Sequence, residues 1–258
     1  MAEPKYIFGP VFSWRLGVSL GIDPISQAGK VCTFDCVYCQ LGETKTFSDK
    51  RKVFVPTKEI LAELRSAPKR KIDYITFSSS GEPTLAANLG EIIREIRKIR
   101  KEKIAVITNS SLIDREDARR DLALADFVLV KLDAHNEGLF RDINRPMPGV
   151  RFSGIINGIK EFRAFYKGRL ALQVMFVGKN KDSAAEIAGF AKKLGIGEVQ
   201  INTPLRECGE RPLSKEEIKE IKKYFKGMTA VSVYDVRKKK VRALDDNGLK
   251  KRHGSDKR

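Results

Sequence analysis

Cysteine is scarce in this chain, four residues among 258, and the scarcity excludes a disulfide framework of the kind that staples small secreted domains. No stretch approaches the ~18 consecutive apolar residues of a membrane span, so no membrane protein is expected. The N-terminus, Met-Ala-Glu-Pro-Lys-Tyr-Ile-Phe, lacks a basic segment followed by an apolar one, which argues against a secretory signal. A cytoplasmic, reducing location is the expectation, and it suits exposed thiolates. Acidic residues are in deficit, 33 against 50 Lys and Arg, for a net charge of +17. That excess points to a polyanionic partner, or equally to a chain rich in both signs because it works hot. The run Arg94-Glu95-Ile96-Arg97-Lys98-Ile99-Arg100-Lys101-Glu102-Lys103 suits the second reading. Internal repeats and domain-splitting linkers are absent, and the length suffices for one large α/β domain.

What is present is concentrated. Three of the four cysteines, Cys32, Cys36 and Cys39, share the spacing C-x3-C-x2-C. Three closely spaced thiolates can each take one iron of a 4Fe-4S cluster. The fourth iron is then left without a protein ligand, and an open coordination position is what distinguishes a catalytic metal site from a structural one. A zinc site and a redox pair are the alternatives. Zinc sites usually come as two spaced pairs or as cysteine with histidine, and no second pair exists here.

Around this stretch, strands and helices alternate. The apolar runs at Val18–Ile22, Ile72–Phe77, Ile104–Ile107, Phe127–Asp133, Leu170–Val177 and Glu198–Asn202 read as strands one to six, and Thr229–Val236 as a last one. Residues 5–13 read as a loop or short edge strand. Helices are expected from Thr57, over Leu89–Ile99, Asp114–Leu124, Phe152–Tyr166, Ser183–Leu194 and Ser214–Phe225. Near-continuous apolar strands between helices imply parallel strands buried on both faces. In a parallel barrel or part-barrel, chemistry gathers where strands end. The cysteines follow strand one, Ser78–Glu82 strand two, Thr108 and Asn109 strand three, Lys131, Asp133 and His135 strand four, Gln173 and Met175 lie on strand five, and Asn202 closes strand six. Residues 1–236 form the expected core domain. Residues 237–258 form a basic extension, either frayed and solvated or a phosphate-contacting arm.

Cys32, Cys36, Tyr38 and Cys39, with the turn Ser80-Gly81-Glu82-Pro83, resemble the radical S-adenosylmethionine superfamily over about residues 5–205. The resemblance implies a partial (β/α)6 TIM-type barrel with cluster and cofactor at the C-terminal ends of parallel strands. It implies an enzyme whose 4Fe-4S cluster reductively cleaves S-adenosyl-L-methionine to a 5′-deoxyadenosyl radical that takes hydrogen from substrate. Cys32, Cys36 and Cys39 would ligate iron, and Tyr38 would lie near the adenine. Ser80, Gly81 and Glu82 would receive the methionyl amino group, although Ser79-Ser80 stand where many members carry glycines. Thr108 and Asn109 would approach the ribose or carboxylate, and Met175, Phe176 and Val177 would pack on the adenine.

A narrower resemblance rests on Phe8-Gly9-Pro10, Ser13-Trp14-Arg15-Leu16-Gly17-Val18-Ser19-Leu20-Gly21, Lys131-Leu132-Asp133-Ala134 and Ile143-Asn144-Arg145-Pro146. These look like a group classed beside the wyosine-base tRNA synthetases. The likeness implies RNA, tRNA in particular, as a substrate class and a reductase or ferredoxin as electron donor. Wyosine synthetases carry a second cluster with three further cysteines, and only Cys208 remains here. Cys208 and Asp133 are the candidate catalytic residues: a thiol that donates hydrogen or holds an intermediate, and a carboxylate ending a strand that faces the site. A small metabolite, a peptide or a partner protein is the alternative target, and a non-catalytic iron–sulfur electron carrier the alternative class.

Overall fold

The computed structural model describes residues 5–67, 70–78, 80–236, 241 and 243; Ser79 and nearly all of the basic 237–258 extension lie outside the described residues. Side chains of successive strand residues point to opposite faces of a sheet, and here that alternation sorts two layers. Val128, Val130, Leu172, Val174, Val199 and Ile201 share one large core with Ile92, Ile93 and Ile96, Ile159, Phe162 and Ile187 from the helices. Their neighbours of opposite parity, Phe127, Leu129 and Ala171, join Ala105 and Leu16 in a small separate cluster. Helices therefore cover one face of the sheet, and the other face forms the inside of a half-barrel.

The eight-stranded sheet has the order β1-β2-β5-β6-β7-β8-β9-β10. It comprises β1 (Ile7–Ser13), β2 (Gly17–Ile22), β5 (Tyr74–Phe77), β6 (Lys103–Thr108), β7 (Phe127–Lys131), β8 (Arg169–Met175), β9 (Glu198–Asn202) and β10 (Thr229–Ser232). All neighbours pair in parallel except β1, which runs antiparallel to β2. Two short parallel strands, β3 (Val31–Cys32) and β4 (Thr46–Phe47), form a separate ribbon. The helices are α1 (Thr57–Ser66), α2 (Leu89–Ile99), α3 (Glu116–Leu122), α4 (Glu137–Asn144), α5 (Phe152–Phe165), α6 (Ala184–Lys193) and α7 (Lys215–Lys223).

The local causes are plain. In α2, Leu89, Ile92, Ile93 and Ile96 are buried while Glu91, Arg94, Arg97 and Lys98 face outward, the apolar stripe of a surface helix. Each such buried aliphatic side chain contributes about 1.5–3 kcal/mol. In α5 a Cβ at Gly158 would sit 2.5 Å from the Asp114 nitrogen, so the glycine lets this helix lie on the chain that leads into α3. The half-barrel with parallel strands is as expected, with seven parallel strands and a real antiparallel edge strand at residues 7–13. Several element ends shift by a residue or two, and three larger details differ. The last strand stops at Ser232, because the Asp235 carboxylate accepts the Ser232 N–H at 2.7 Å and turns the chain. Helix α4 was not anticipated. It is short, and its start depends on the Asn136 side chain accepting the Leu139 N–H. The β3–β4 ribbon stood within an expected loop, where two-residue strands leave no periodicity to read.

One buried side chain ties the loop before α1 to the rest. Arg51 donates to the carbonyls of Thr84 (2.8 Å) and Ala86 (3.1 Å), pairs with Asp117 at 2.9 Å and also bonds Asp121. Partial burial works against ionised Asp117, but the hydrogen bonds from Arg51 and Arg115 hold its carboxyl down at about 2. A depressed carboxylate pKa contributes stability above its unfolded value, about 3.9, and loses it as the pH falls toward the folded value. Arg51→Met should lower unfolding stability by about 2–3 kcal/mol, measured in urea at neutral pH. It should also flatten the acid-side loss between about pH 4 and 2; an unchanged acid limb would refute the pairing.

Candidate active site

The cysteine stretch is anchored by backbone. After β2, Asp23 turns inward, one carboxylate oxygen accepting the N–H groups of Ile25 and Ser26 and the other the N–H and hydroxyl of Ser80. The strand bearing Cys32 then pairs with the turn after β5. The Val31 N–H donates to the Ser80 carbonyl at 3.2 Å, and the Val31 carbonyl accepts the Glu82 N–H at 3.1 Å. Gly81 sits between them, and a Cβ there would lie 1.7 Å from the Val31 oxygen. Only glycine permits that approach.

Glu82 is buried and turned away from solvent. Its Oε1 accepts from the Thr84 N–H (3.0 Å), the Thr84 hydroxyl (2.7 Å) and the Thr108 hydroxyl (2.7 Å), and its Oε2 from the Asn109 N–H (2.7 Å). Burial raises its pKa, and these four donors offset part of the rise. The carboxylate thus braces the ends of β5 and β6. Asn109 carries the brace onward: its amide donates to the Thr33 hydroxyl at 2.8 Å and to Cys32 Sγ at 3.4 Å.

A second buried carboxylate stands on the other side. Asp133 Oδ1 accepts the Met175 N–H at 2.7 Å, and Oδ2 accepts the Tyr38 hydroxyl and the Asn144 amide (2.9 Å). Lys131 Nζ donates to the Tyr38 oxygen at 2.7 Å, lies 4.4 Å from its ring centre and is 3.6 Å from Asp133. Asn144 also donates to Cys36 Sγ at 3.5 Å. The Tyr38 ring packs with Ile143, Met175 and Val177, and Cys36, Val37, Leu139 and Cys208 lie against the same group. Burial, followed by the Asp133 charge, raises the Tyr38 pKa well above its ordinary value.

The structure therefore gathers Cys32, Cys36, Tyr38, Ser80, Gly81, Glu82, Thr108, Asn109, Asp133, Met175, Val177 and Cys208 around one end of the sheet. Phe176 is the correction. Its ring packs edge-on against Phe225, centroids 6.3 Å apart, in the helix-covered core. It cannot share a face with Met175 and Val177, because adjacent residues of extended chain point to opposite sides. Glu82 and Asp133 hold protein donors with their carboxylates rather than presenting them outward. Asn144 and Asp23 are site residues that the sequence does not single out, and Lys131, expected at the end of strand four, takes a definite role as the partner of Tyr38. Asn144 stood in the segment Ile143-Asn144-Arg145-Pro146, but only the fold brings it to Cys36.

Burial pushes the Cys32 thiol up to about 12, with the Glu82 charge adding to the rise, and burial raises Cys36 as well. Buried thiols of this kind ionise when a metal cation replaces the proton. Among the described residues no three His, Cys, Asp or Glu side chains are gathered to hold one metal ion. A four-iron cluster asks for a different arrangement, one thiolate per iron. Two of the three sulfurs receive amide N–H groups, a recurrent means of tuning cluster thiolates. The donor set fits a cluster.

Fold and site together define the class: the Radical SAM superfamily matches residues 27–194, and the chain belongs to it. Its enzymes use a 4Fe-4S cluster and S-adenosylmethionine. Within the superfamily the chain is 42% identical to a UPF0026 protein of Synechocystis over 214 residues, 81% of this chain and 78% of that protein, and it belongs with that group. Solved structures agree on the fold. TYW1 with a lysine–pyruvate adduct bound aligns with a TM-score of 0.62 and 17% identity, over 82% of this chain and 74% of that one. Streptococcus suis SuiB bound to S-adenosylmethionine aligns at 0.64 with 16% identity, over 82% and 49%.

Gly81→Ala should separate Val31 from the turn and lower stability by about 2 kcal/mol or more. Gly178→Ala, where a Cβ meets nothing within 4 Å, should change it by less than about 0.5 kcal/mol. Thermal and urea unfolding of the two variants side by side provide the measurement, and equal effects would remove the clasp from the account.

Proposed function

We propose that Cys32, Cys36 and Cys39 each hold one iron of a 4Fe-4S cluster and that the fourth iron takes the amino and carboxylate groups of S-adenosylmethionine. The observation that carries this reading is the joining of the Cys32 strand to the Ser80–Glu82 turn by direct backbone pairing. Such a junction would set the methionine end of a cofactor beside the cysteines. Held there, such a cluster would supply the one electron for reductive cleavage of S-adenosylmethionine to methionine and a 5′-deoxyadenosyl radical.

The chain's own residues do the rest. Backbone and Ser80 of the turn receive the methionyl amino group, with carbonyl and hydroxyl oxygens as acceptors. Asn109 and Asn144 orient Cys32 and Cys36. Thr108 holds Glu82, and Glu82 holds the Asn109 backbone. Met175 and Val177 form an apolar wall for adenine, with Tyr38 locked behind them. Asp133 is a positioning residue: it holds Tyr38, Asn144 and the Met175 backbone in one arrangement. Cys208 stands against the same wall and, unlike Cys36, is not taken up as an iron ligand in this reading, so its thiol hydrogen stays available for transfer. A reductase or ferredoxin supplies the electron.

RNA is the substrate class the chain's charge favours. With 50 basic against 33 acidic residues, phosphate contacts would release counterions, and affinity should fall steeply as salt rises. A metabolite or peptide substrate would show no comparable slope.

After anaerobic reconstitution, reduction by dithionite should release 5′-deoxyadenosine and methionine in equal amounts. Cys32→Ala, Cys36→Ala and Cys39→Ala should each abolish the release and the visible absorption of the cluster. No 5′-deoxyadenosine from a fully loaded, reduced wild-type protein would defeat the reading.

A further inference from the structure

The inner face of the sheet holds a row of polar side chains, Gln173, Gln200 and Asn202, that the cofactor site does not use, bordered by Lys131, which that site does use. Lys131 of β7 pairs in register with Gln173 of β8, Gln173 with Gln200 of β9, and Met175 with Asn202. Lys131 and Gln173 have the parity of Leu129 and Ala171, so they continue the helix-free face above its small apolar floor. Gln173, Gln200 and Asn202 are each at least nine-tenths buried, with exposures of 5%, 2% and 5%. Yet Gln173 Oε1, Gln200 Oε1 and Asn202 Oδ1 are buried without a hydrogen-bond partner. Buried amide oxygens are nearly always paired, and several orphans on one face ask for an explanation.

For Gln200, an exchange of amide oxygen and nitrogen does not supply one. Gln200 Nε2 donates to Glu198 Oε1 at 3.1 Å, and turning the amide over would set its oxygen against a carboxylate oxygen. The Gln200 carbonyl is therefore committed to face the interior as an acceptor. A ligand meeting this row must bring N–H or O–H donors. The surrounding charge narrows the class. Arg15 Nε is buried without a partner, its guanidinium lies 4.4 Å over the Trp14 ring, and Arg15 makes no ion pair among the described residues. Burial lowers its pKa only to about 10, so it stays charged at neutral pH, and it lies close enough to Arg206, just past β9, to feel that charge. Arg15, without an ion pair among the described residues, opposes a cationic ligand. A ligand with N–H donors for the amides and an anionic group for Arg15 meets both demands.

We propose that Gln173, Gln200 and Asn202 form a recognition wall for the N–H edge of a nucleotide base, with Arg15 receiving the nucleotide's phosphate. The proposal deepens the function given above, and rests on it for taking this face as the substrate side. One nucleotide chemistry has two sources here, a free ribonucleotide or a nucleotide unit within RNA, and binding separates them.

The test is equilibrium binding to the full chain, with the four ribonucleoside 5′-monophosphates and a mixed-sequence RNA oligonucleotide as separate probes. Gln173→Leu/Gln200→Leu should weaken the bound probe by about tenfold or more, and Arg15→Met should weaken it by a similar factor. The melting temperature supplies the discriminating readout. Orphaned acceptors cost the free protein stability, so replacing them by leucine should leave melting unchanged or raise it. Amides serving only the fold should lower it. If the double variant does not fold, Asn202→Leu alone takes the same two measurements. Binding of a mononucleotide assigns the free source, and binding of RNA alone the polymer. No binding of any probe by wild type, unchanged affinity in the variants, or a clear drop in melting temperature would each overturn the proposal. Because these readouts need no cluster, failure to release 5′-deoxyadenosine would overturn the proposed reaction without touching the binding result.

Discussion

The pairing of Val31 with the Ser80–Glu82 turn is the constraint on which the rest of the site depends. The cysteine loop is long, and the strand that starts it has only two residues. Without an external template it would have no fixed position against the sheet. The turn after β5 supplies that template through two backbone hydrogen bonds, and Gly81 allows it by having no side chain to fill the gap. Asp23 secures the same turn from the end of β2. Three segments distant in sequence thus meet where β2 and β5 end, which is where parallel α/β folds place their chemistry.

Two buried carboxylates then set the side chains. Glu82 and Asp133 each collect donors from separate elements, and each passes the result to a cysteine through an asparagine: Glu82 by Asn109 to Cys32, Asp133 by Asn144 to Cys36. The symmetry is chemical rather than topological. A buried carboxylate without donors would be costly, so each is tolerable only while its network is intact. The same networks hold the sulfurs in place. Acidic residues at strand ends invite a catalytic reading, but their saturation with protein donors makes them struts.

Much of this was legible in the sequence, for identifiable reasons. The cysteine spacing, the Ser80-Gly81-Glu82-Pro83 turn and the apolar strands are local patterns, and each landed where expected. Helix α2 was readable to the residue because its apolar stripe is unbroken. What escaped was either too short to show a period, as with the β3–β4 ribbon and α4, or was a long-range pairing. Nothing in the order of residues says that Asn144 reaches Cys36, 108 positions away. Phe176 lies apart from Met175 and Val177 for a simpler reason: an extended chain offers only alternate residues to one wall.

The two ends of the inner surface differ in how their polar groups are served. Beneath the cysteines, the carboxylates of Glu82 and Asp133 have their donors from the protein itself, so that end is complete before any ligand arrives. Along β8 and β9, amide oxygens of Gln173, Gln200 and Asn202 are left open. A preorganised end suits a step common to a whole superfamily, because the same geometry serves every substrate. An unsatisfied end suits recognition, because a ligand that completes the hydrogen bonds is preferred over one that cannot. This division also explains why membership of the superfamily can be read from the sequence and a target cannot. The cysteine spacing and the Ser80-Gly81-Glu82-Pro83 turn are contiguous motifs. Recognition is spread over single residues on separate strands, each of which looks, in sequence, like an ordinary polar residue in a strand.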